Sequence, residues 1–204
     1  MEKNSYSGKF IVIEGLDGAG KTAQAVELAD FLRQAGKDVF ATKEPTVNSD
    51  AGKKIKQILR GEISASKLGL QELFVQDRKE HLEKEIIPAL RQGKSVVCER
   101  YVFSTIAYGA SEELSVDLLA KMNDNFLLPD LTVFIDVSPE SCVKRIESRG
   151  DPKELFEKKE KLERVAKIYK EIAVMFTNFI IIDGEKSKDE VAEEIKNIIK
   201  SKFL

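Results

Sequence analysis

The sequence predicts an α/β fold, a three-layer domain with a five-stranded parallel sheet flanked by helices, and two observations carry that expectation. Short β-rich apolar runs alternate with longer stretches of helical period. The runs are nearly continuous in apolar residues, as strands are when helices cover both faces of a sheet. A length of 204 residues suits one domain with a sizeable core and is short for two, so residues 1–204 are expected to form a single unit.

The predicted strands are Phe10 to Glu14, Asp38 to Thr42, Ser95 to Glu99, Leu131 to Asp136 and Phe179 to Asp183. Helical period fills the intervals at 21–35, 50–60, 68–91, 104–110, 115–126, 139–149, 156–176 and 188–200. Ser138 before Pro139 gives an N-cap with proline in the first turn, and Ser187 with Glu190 has capping-box spacing. Gly36 and Gly93 stand where left-handed C-caps are needed, and Pro88 should bend the long third helix. In such a sheet, ligands bind beyond the carboxyl ends of the strands.

The balance of charge is nearly even, net −2, which argues against bulk nucleic-acid or anionic-membrane binding. Cys98 and Cys142 make neither a disulfide framework nor a metal-ligand spacing, and read as buried free thiols in a reducing compartment. "MEKNSYSGK" lacks an apolar signal segment, and no run approaches the roughly 18–20 apolar residues that span a bilayer. A cytoplasmic location is expected.

Behind the first strand stands "GLDGAGKT": Gly15, Leu16, Asp17, Gly18, Ala19, Gly20, Lys21 and Thr22. It matches G-x-x-x-x-G-K-[ST] with a strand before and a helix after, the context this phosphate loop requires. Glycines let backbone N–H groups converge on a phosphate, and the helix aims its positive dipole end at the same point. Lys21 then neutralises the β- and γ-phosphates of ATP, and the Thr22 hydroxyl holds Mg²⁺. A guanine-reading N-K-x-D segment has no plausible place in the chain, and Asp136 is followed by Val137 rather than the second acid of a motor ATPase. A phosphotransferase remains, and it needs an acceptor pocket with cations for the transferring group.

Two segments are candidates for that pocket. In "ELFVQDRKEH", Phe74, Arg78 and His81 fall within an arc of roughly 60° at about 100° per residue, beside an apolar stripe. An aromatic face next to a guanidinium suits a nucleobase. Phe74 as plain core, Arg78 in a surface ion pair and His81 as a structural histidine are the competing readings. In "CERYVFSTIAY", at the end of the third strand, Glu99 is placed to reach the metal and Arg100 to grip a phosphate. A purely structural Glu99–Arg100 pair is the alternative there.

Over nearly its full length the chain resembles the thymidylate kinase family of nucleoside monophosphate kinases. The resemblance is carried by "IEGLDGAGKT", "TKEPT", "LFVQDRKEH", "ERYVFSTIAY", "PDLTVFIDVSPE" and "RIESRGD" in that order. It implies transfer of the γ-phosphoryl group of ATP to dTMP. It further implies a contact from Asp17 to the acceptor's 3′-hydroxyl, thymine stacked on Phe74, Arg78 on a thymine carbonyl and Thr105 at the base edge. Arg100 would hold the dTMP phosphate, Tyr108 would exclude a ribose 2′-hydroxyl, Arg149 would lie on the adenine side, and "GDPKELFEKK" would be a lid at about 150–160. A homodimer is also implied.

The chain departs from the family pattern in three places. Glu99 stands where aspartate is usual, "KEPTVN" lacks an arginine that some relatives use at the acceptor phosphate, and neither the phosphate loop nor the segment from Asp151 to Leu162 contains the catalytic arginine. Lys153 is the expected substitute, with Lys158 and Lys159 as alternatives and merely solvated lysines as the competing reading. Other acceptors, dUMP among them, and a slow ATP-hydrolysing switch are the rival functions.

Overall fold

The structure, a computed structural model, describes residues 1–148 and 155–204. Its first half runs β1 (Glu2–Lys3), β2 (Phe10–Gly15), α1 (Lys21–Gln34), β3 (Val39–Lys43), α2 (Asp50–Leu59), α3 (Lys67–His81), α4 (Ile87–Arg91) and β4 (Ser95–Glu99). The second runs α5 (Val102–Ser111), α6 (Val116–Met122), β5 (Leu127–Leu128), β6 (Leu131–Asp136), α7 (Pro139–Glu147), α8 (Leu155–Ala173), β7 (Phe179–Asp183) and α9 (Lys188–Phe203). The five predicted strands form one parallel sheet in the order β3-β4-β2-β6-β7.

The central strands explain their own composition. Phe10, Val12, Ile13, Val96, Val97, Val133 and Phe134 are all fully buried, because helices cover the sheet on both sides. Edge strands β3 and β7 expose Ala41 and Ile181. Helix α1 packs on β2, β3 and β4 and against α9, while α5 packs against α8. Phe103 of α5 meets Phe176 and Phe179 edge-on at 5.0 and 5.1 Å, and Phe134 of β6 stacks on Tyr169 of α8 at 4.6 Å. Each such pair adds about 0.5–1.5 kcal/mol to the burial of its rings. The consequence is that α5 and α8 are fixed to the sheet on the side from which they reach the site.

The serine caps and the two glycine helix ends lie where the sequence places them. Three differences are physical. Helix 68–91 is three pieces: α3, a wide π-type turn at Leu82–Ile86, and α4 with Pro88 in its first turn. Proline removes one N–H and crowds the carbonyl four residues back, and the wider turn relieves both. Helix 115–126 stops at Met122, because the Asn123 side chain turns back to donate to the Leu119 carbonyl at 2.7 Å. The freed chain forms β5, which pairs in parallel with β1 near the N-terminus, a second small sheet with no periodicity to announce it.

Candidate active site

The phosphate loop fills the turn between β2 and α1. Leu16 and Ala19 are buried and anchor it, Asp17 is its exposed tip, and the Ala19 N–H closes on the Leu16 carbonyl at 3.1 Å. Gly18 has φ 87°, and a Cβ there would lie 2.6 Å from the Cys142 carbonyl oxygen, so the loop can pass α7 only without a side chain. Gly20 caps α1 with no side-chain hydrogen bond, leaving the first helical N–H groups directed at an anion. Lys21 is 5% exposed and its Nζ donates to the Leu16 carbonyl at 2.7 Å. Burial, and then the charge of Arg100, bring its ammonium down to about 8, although Asp17, Glu99 and Glu14 pull the other way.

Thr22, one residue on, donates from Oγ1 to Glu99 Oε2 at 2.8 Å. These two hard oxygens, from the start of α1 and the end of β4, are the donor type that Mg²⁺ takes, and it usually completes its shell with phosphate and water. Among the described residues no cluster of three or more His, Cys, Asp or Glu forms a metal cage.

Arg100 follows Glu99 with φ 66°, left-handed and without the licence of glycine, a conformation that costs on the order of 1–3 kcal/mol. Its N–H donates to the Ile13 carbonyl at 3.0 Å. The guanidinium donates through Nη1 to Ser104 Oγ at 2.8 Å and through Nη2 to Asp17 Oδ1 at 2.5 Å, and it lies 5.0 Å from the centre of the Tyr108 ring. The Tyr108 hydroxyl accepts the Asp17 N–H at 3.1 Å. Loop tip, arginine and tyrosine are thus one contact group.

Behind Arg100 sits a residue to which the sequence reading gave no role. Glu14, next to last in the fully buried strand β2, is completely enclosed. Its Oε1 accepts the N–H groups of Tyr101 and Ser104 at 2.9 and 3.1 Å, and its Oε2 accepts the hydroxyls of Ser104 and Tyr169. Burial lifts this carboxyl above the ordinary glutamate range against the pull of Arg100 and of these hydrogen bonds. The only signal in the sequence is a carboxylate inside an apolar strand.

The second cluster is buried. Arg78 is 1% exposed, which excludes the surface ion pair. Its Nε and Nη2 donate to Glu44 Oε2 at 2.9 and 2.7 Å, Nη2 also to Thr105 Oγ1 at 2.8 Å, and Nη1 to Asn123 Oδ1 at 2.6 Å. The other Glu44 oxygen meets His81 Nδ1 at 3.2 Å, and His81 Nε2 meets Thr42 Oγ1 at 2.7 Å. His81 is therefore structural, a buried link between β3 and α3. Glu44 begins a cis peptide with Pro45 and was assigned no role from sequence, nor was Asn123. Phe74 is half-buried and stands outside the main apolar cluster, against which its neighbour Val75 packs, so it is not plain core.

Beside the phosphate loop lies a pocket lined by Ala19, Gly20, Gln24, Arg145, Gly184 and Lys186. Arg149 and Lys153 lie outside the described residues, as do the side chain of Lys158 and residues 150–154 of the 150–160 segment. Lys159 stands in α8 with its ammonium 4.0 Å from Glu163. No described helix is long and apolar enough to cross a membrane.

Comparison with known proteins places the chain in a family. The family model described as thymidylate kinase matches residues 13–195. A probable thymidylate kinase of Pyrococcus abyssi is 36% identical over 203 residues, covering 97% of this chain and 98% of that one. The thymidylate kinase of Leptospira interrogans is 38% identical over 199 residues, 95% and 96% of the two chains. A probable thymidylate kinase of Archaeoglobus fulgidus is 39% identical over 193 residues, 94% and 95%. With the family model spanning the phosphate loop, both clusters and the sheet that joins them, the chain belongs to the thymidylate kinase family.

Proposed function

We propose that this chain transfers the γ-phosphoryl group of ATP to dTMP, giving dTDP and ADP on the way to dTTP. One observation carries the reading: Arg100 Nη2 lies 2.5 Å from Asp17 of the phosphate loop. A donor phosphate on the loop and an acceptor phosphate on Arg100 would therefore be neighbours, and neighbouring phosphates are what direct transfer needs.

The chain's own residues then divide the work. Loop N–H groups and Lys21 hold and neutralise the donor phosphates, with ATP's base toward the pocket at Arg145 and Arg149 on the same side. Thr22 and Glu99 would hold Mg²⁺, which supplies charge neutralisation across the β- and γ-oxygens when bound. Arg100 grips the acceptor phosphate, exchanging Asp17 for it, and Asp17 is freed toward the acceptor's 3′-hydroxyl. Phe74 stacks on the base, Arg78 and Thr105 address its edge, and Tyr108 occupies the space of a 2′-hydroxyl. Four of the five guanidinium N–H groups of Arg78 are engaged among the described residues, which leaves one for a base carbonyl. No protein nucleophile is needed.

Lys153 is the lid cation in this reading, in a lid at about 150–160 that excludes water from one domain spanning 1–204. The protein would work in the cytoplasm as a homodimer. Exposed Leu59, Ile63 and Leu68, at 62%, 44% and 40%, support that association, and the mass of the purified chain in light scattering decides it.

The test is purified protein with ATP, Mg²⁺ and a panel of dTMP, dUMP, the ribose analogue of dTMP, CMP and thymidine, following ADP and phosphorylated product together. Equal ADP and dTDP with dTMP, and little product from the ribose analogue, is the expected result. ADP formed equally without an acceptor would leave a nucleotide hydrolase instead. In the same assay Lys153→Ala should lose kcat with KM little changed, and a loss below about threefold, roughly 0.7 kcal/mol, removes Lys153 from the mechanism.

A further inference from the structure

We infer that Glu14 is the positioning residue of Arg100, acting through the Ser104 hydroxyl and the N-terminus of α5; the inference rests on the reading of Arg100 as the acceptor-phosphate ligand. Tyr101 is the N-cap of α5 and supplies no side-chain cap. Glu14 Oε1 does so from another strand, taking the Tyr101 and Ser104 N–H groups, the N-cap and third helical donors, at 2.9 and 3.1 Å. A serine or aspartate at position 101 would cap the same helix locally. The distant carboxylate does something a local cap cannot: it ties the turn holding Arg100 to the strand that ends in the phosphate loop.

Ser104 has one hydroxyl proton and gives it to Glu14 Oε2, which leaves the lone pairs of Oγ to accept Arg100 Nη1 at 2.8 Å. Nη1 is thereby held inward, and Nη2 faces the loop tip, where Asp17 now stands. A carboxylate with no other donor would only neutralise Arg100. A carboxylate that fixes the direction of the bridging hydroxyl also fixes which edge of the guanidinium meets a phosphate. Tyr169 donates to the same Oε2 at 2.9 Å and lies 2.8 Å from Ser104 Oγ, so α8 (Leu155–Ala173) is joined to this unit.

A purely structural role predicts a general loss, whereas a positioning role predicts a loss confined to the phosphate. Calorimetric titration of dTMP and thymidine, which differ only by that phosphate, separates the two for Ser104→Ala and Glu14→Gln. The glutamine retains one oxygen for the cap but cannot accept the Ser104 proton at its amide nitrogen. Ser104→Ala leaves the Glu14 cap in place and keeps the test open if Glu14→Gln does not fold. The expected result is about a tenfold weakening of dTMP with thymidine within twofold of wild type, and recovery of at least half the loss in Ser104→Thr, which restores the hydroxyl. Equal weakening of both ligands, or an unchanged preference for dTMP in Ser104→Ala, would overturn the inference. Should wild type itself show no preference for dTMP over thymidine, the acceptor role of Arg100 falls, and the proposed function with it.

Discussion

Two arginine–carboxylate pairs stand at the two ends of the proposed acceptor site, and they are built to opposite rules. Arg78 and Glu44 are 1% and 3% exposed in their side chains, joined by two hydrogen bonds and hemmed by Asn123, Thr105 and the rings of Tyr101 and Phe126. Arg100 and Asp17 are 15% and 60% exposed, and Asp17 belongs to a loop tip. A buried pair is held because breaking it strands a charge. An exposed pair is nearly free to break. The base end is therefore preformed, and the phosphate end keeps its charges on partners that a ligand can replace. Lys21 is buried, yet its ammonium is folded back on the neutral Leu16 carbonyl, a partner that a phosphate can also replace.

The largest expected effect is at Lys21. Lys21→Met should lower kcat/KM by more than about a thousandfold, as expected of a group that neutralises transferring phosphates. The same variant should be the more stable protein without nucleotide. The folded ammonium titrates near 8, below its ordinary 10.5, so between those values the unfolded chain binds more protons. Wild-type stability should accordingly rise from pH 8 to 10.5, while at pH 7 the buried charge opposes folding by roughly 3 kcal/mol. Chemical unfolding of both proteins at pH 7 and pH 10 measures this, and a wild type that loses stability relative to Lys21→Met over that interval contradicts it.

The two pairs can be set against each other directly. Glu44→Gln should cost about 3 kcal/mol of stability, read as a lower denaturant midpoint at constant slope, because Arg78 keeps its burial and loses its countercharge. Asp17→Asn, the same change in chemistry, should cost less than about 1 kcal/mol. Turnover with dTMP should nonetheless fall in Asp17→Asn, since the proposed reading gives that carboxylate the acceptor's 3′-hydroxyl. Equal stability losses in the two variants would erase the distinction between a preformed and an exchangeable end.

How far the sequence reaches follows the same division. The sheet, most helix ends and the phosphate loop were legible because they rest on local order: periodicity, caps and a motif with its strand and helix attached. Phe74, Arg78, Glu99 and Arg100 were legible as candidates for the same reason. Their partners were not. Glu44 and Asn123 lie 34 and 45 residues from Arg78, and Glu14 lies 87 and 90 residues from Tyr101 and Ser104, and a buried hydrogen bond leaves no period in a sequence. Arg78 shows the cost of that: its helical position is at the border of an apolar stripe, which fits a surface ion pair as well as a buried one. Only the carboxylate of Glu44 arriving from β3 decides between them.

The smallest expected effect tests whether Tyr108 belongs to the phosphate end by its ring or by its hydroxyl. The hydroxyl accepts the Asp17 N–H at 3.1 Å and meets Arg100 Nη2 only at 3.4 Å, and a hydrogen bond of this kind contributes about 0.5–1.5 kcal/mol. The ring lies 5.0 Å from the Arg100 guanidinium carbon and is the part that would fill the space of a 2′-hydroxyl. Tyr108→Phe should therefore raise the KM for dTMP by only about two- to twelvefold and leave the preference for dTMP over its ribose analogue intact. Tyr108→Ala should lose that preference. If Tyr108→Phe alone abolished it, discrimination would lie in the hydroxyl and the hold it has on the loop tip, and the exchangeable end would be reading the sugar as well as the phosphate.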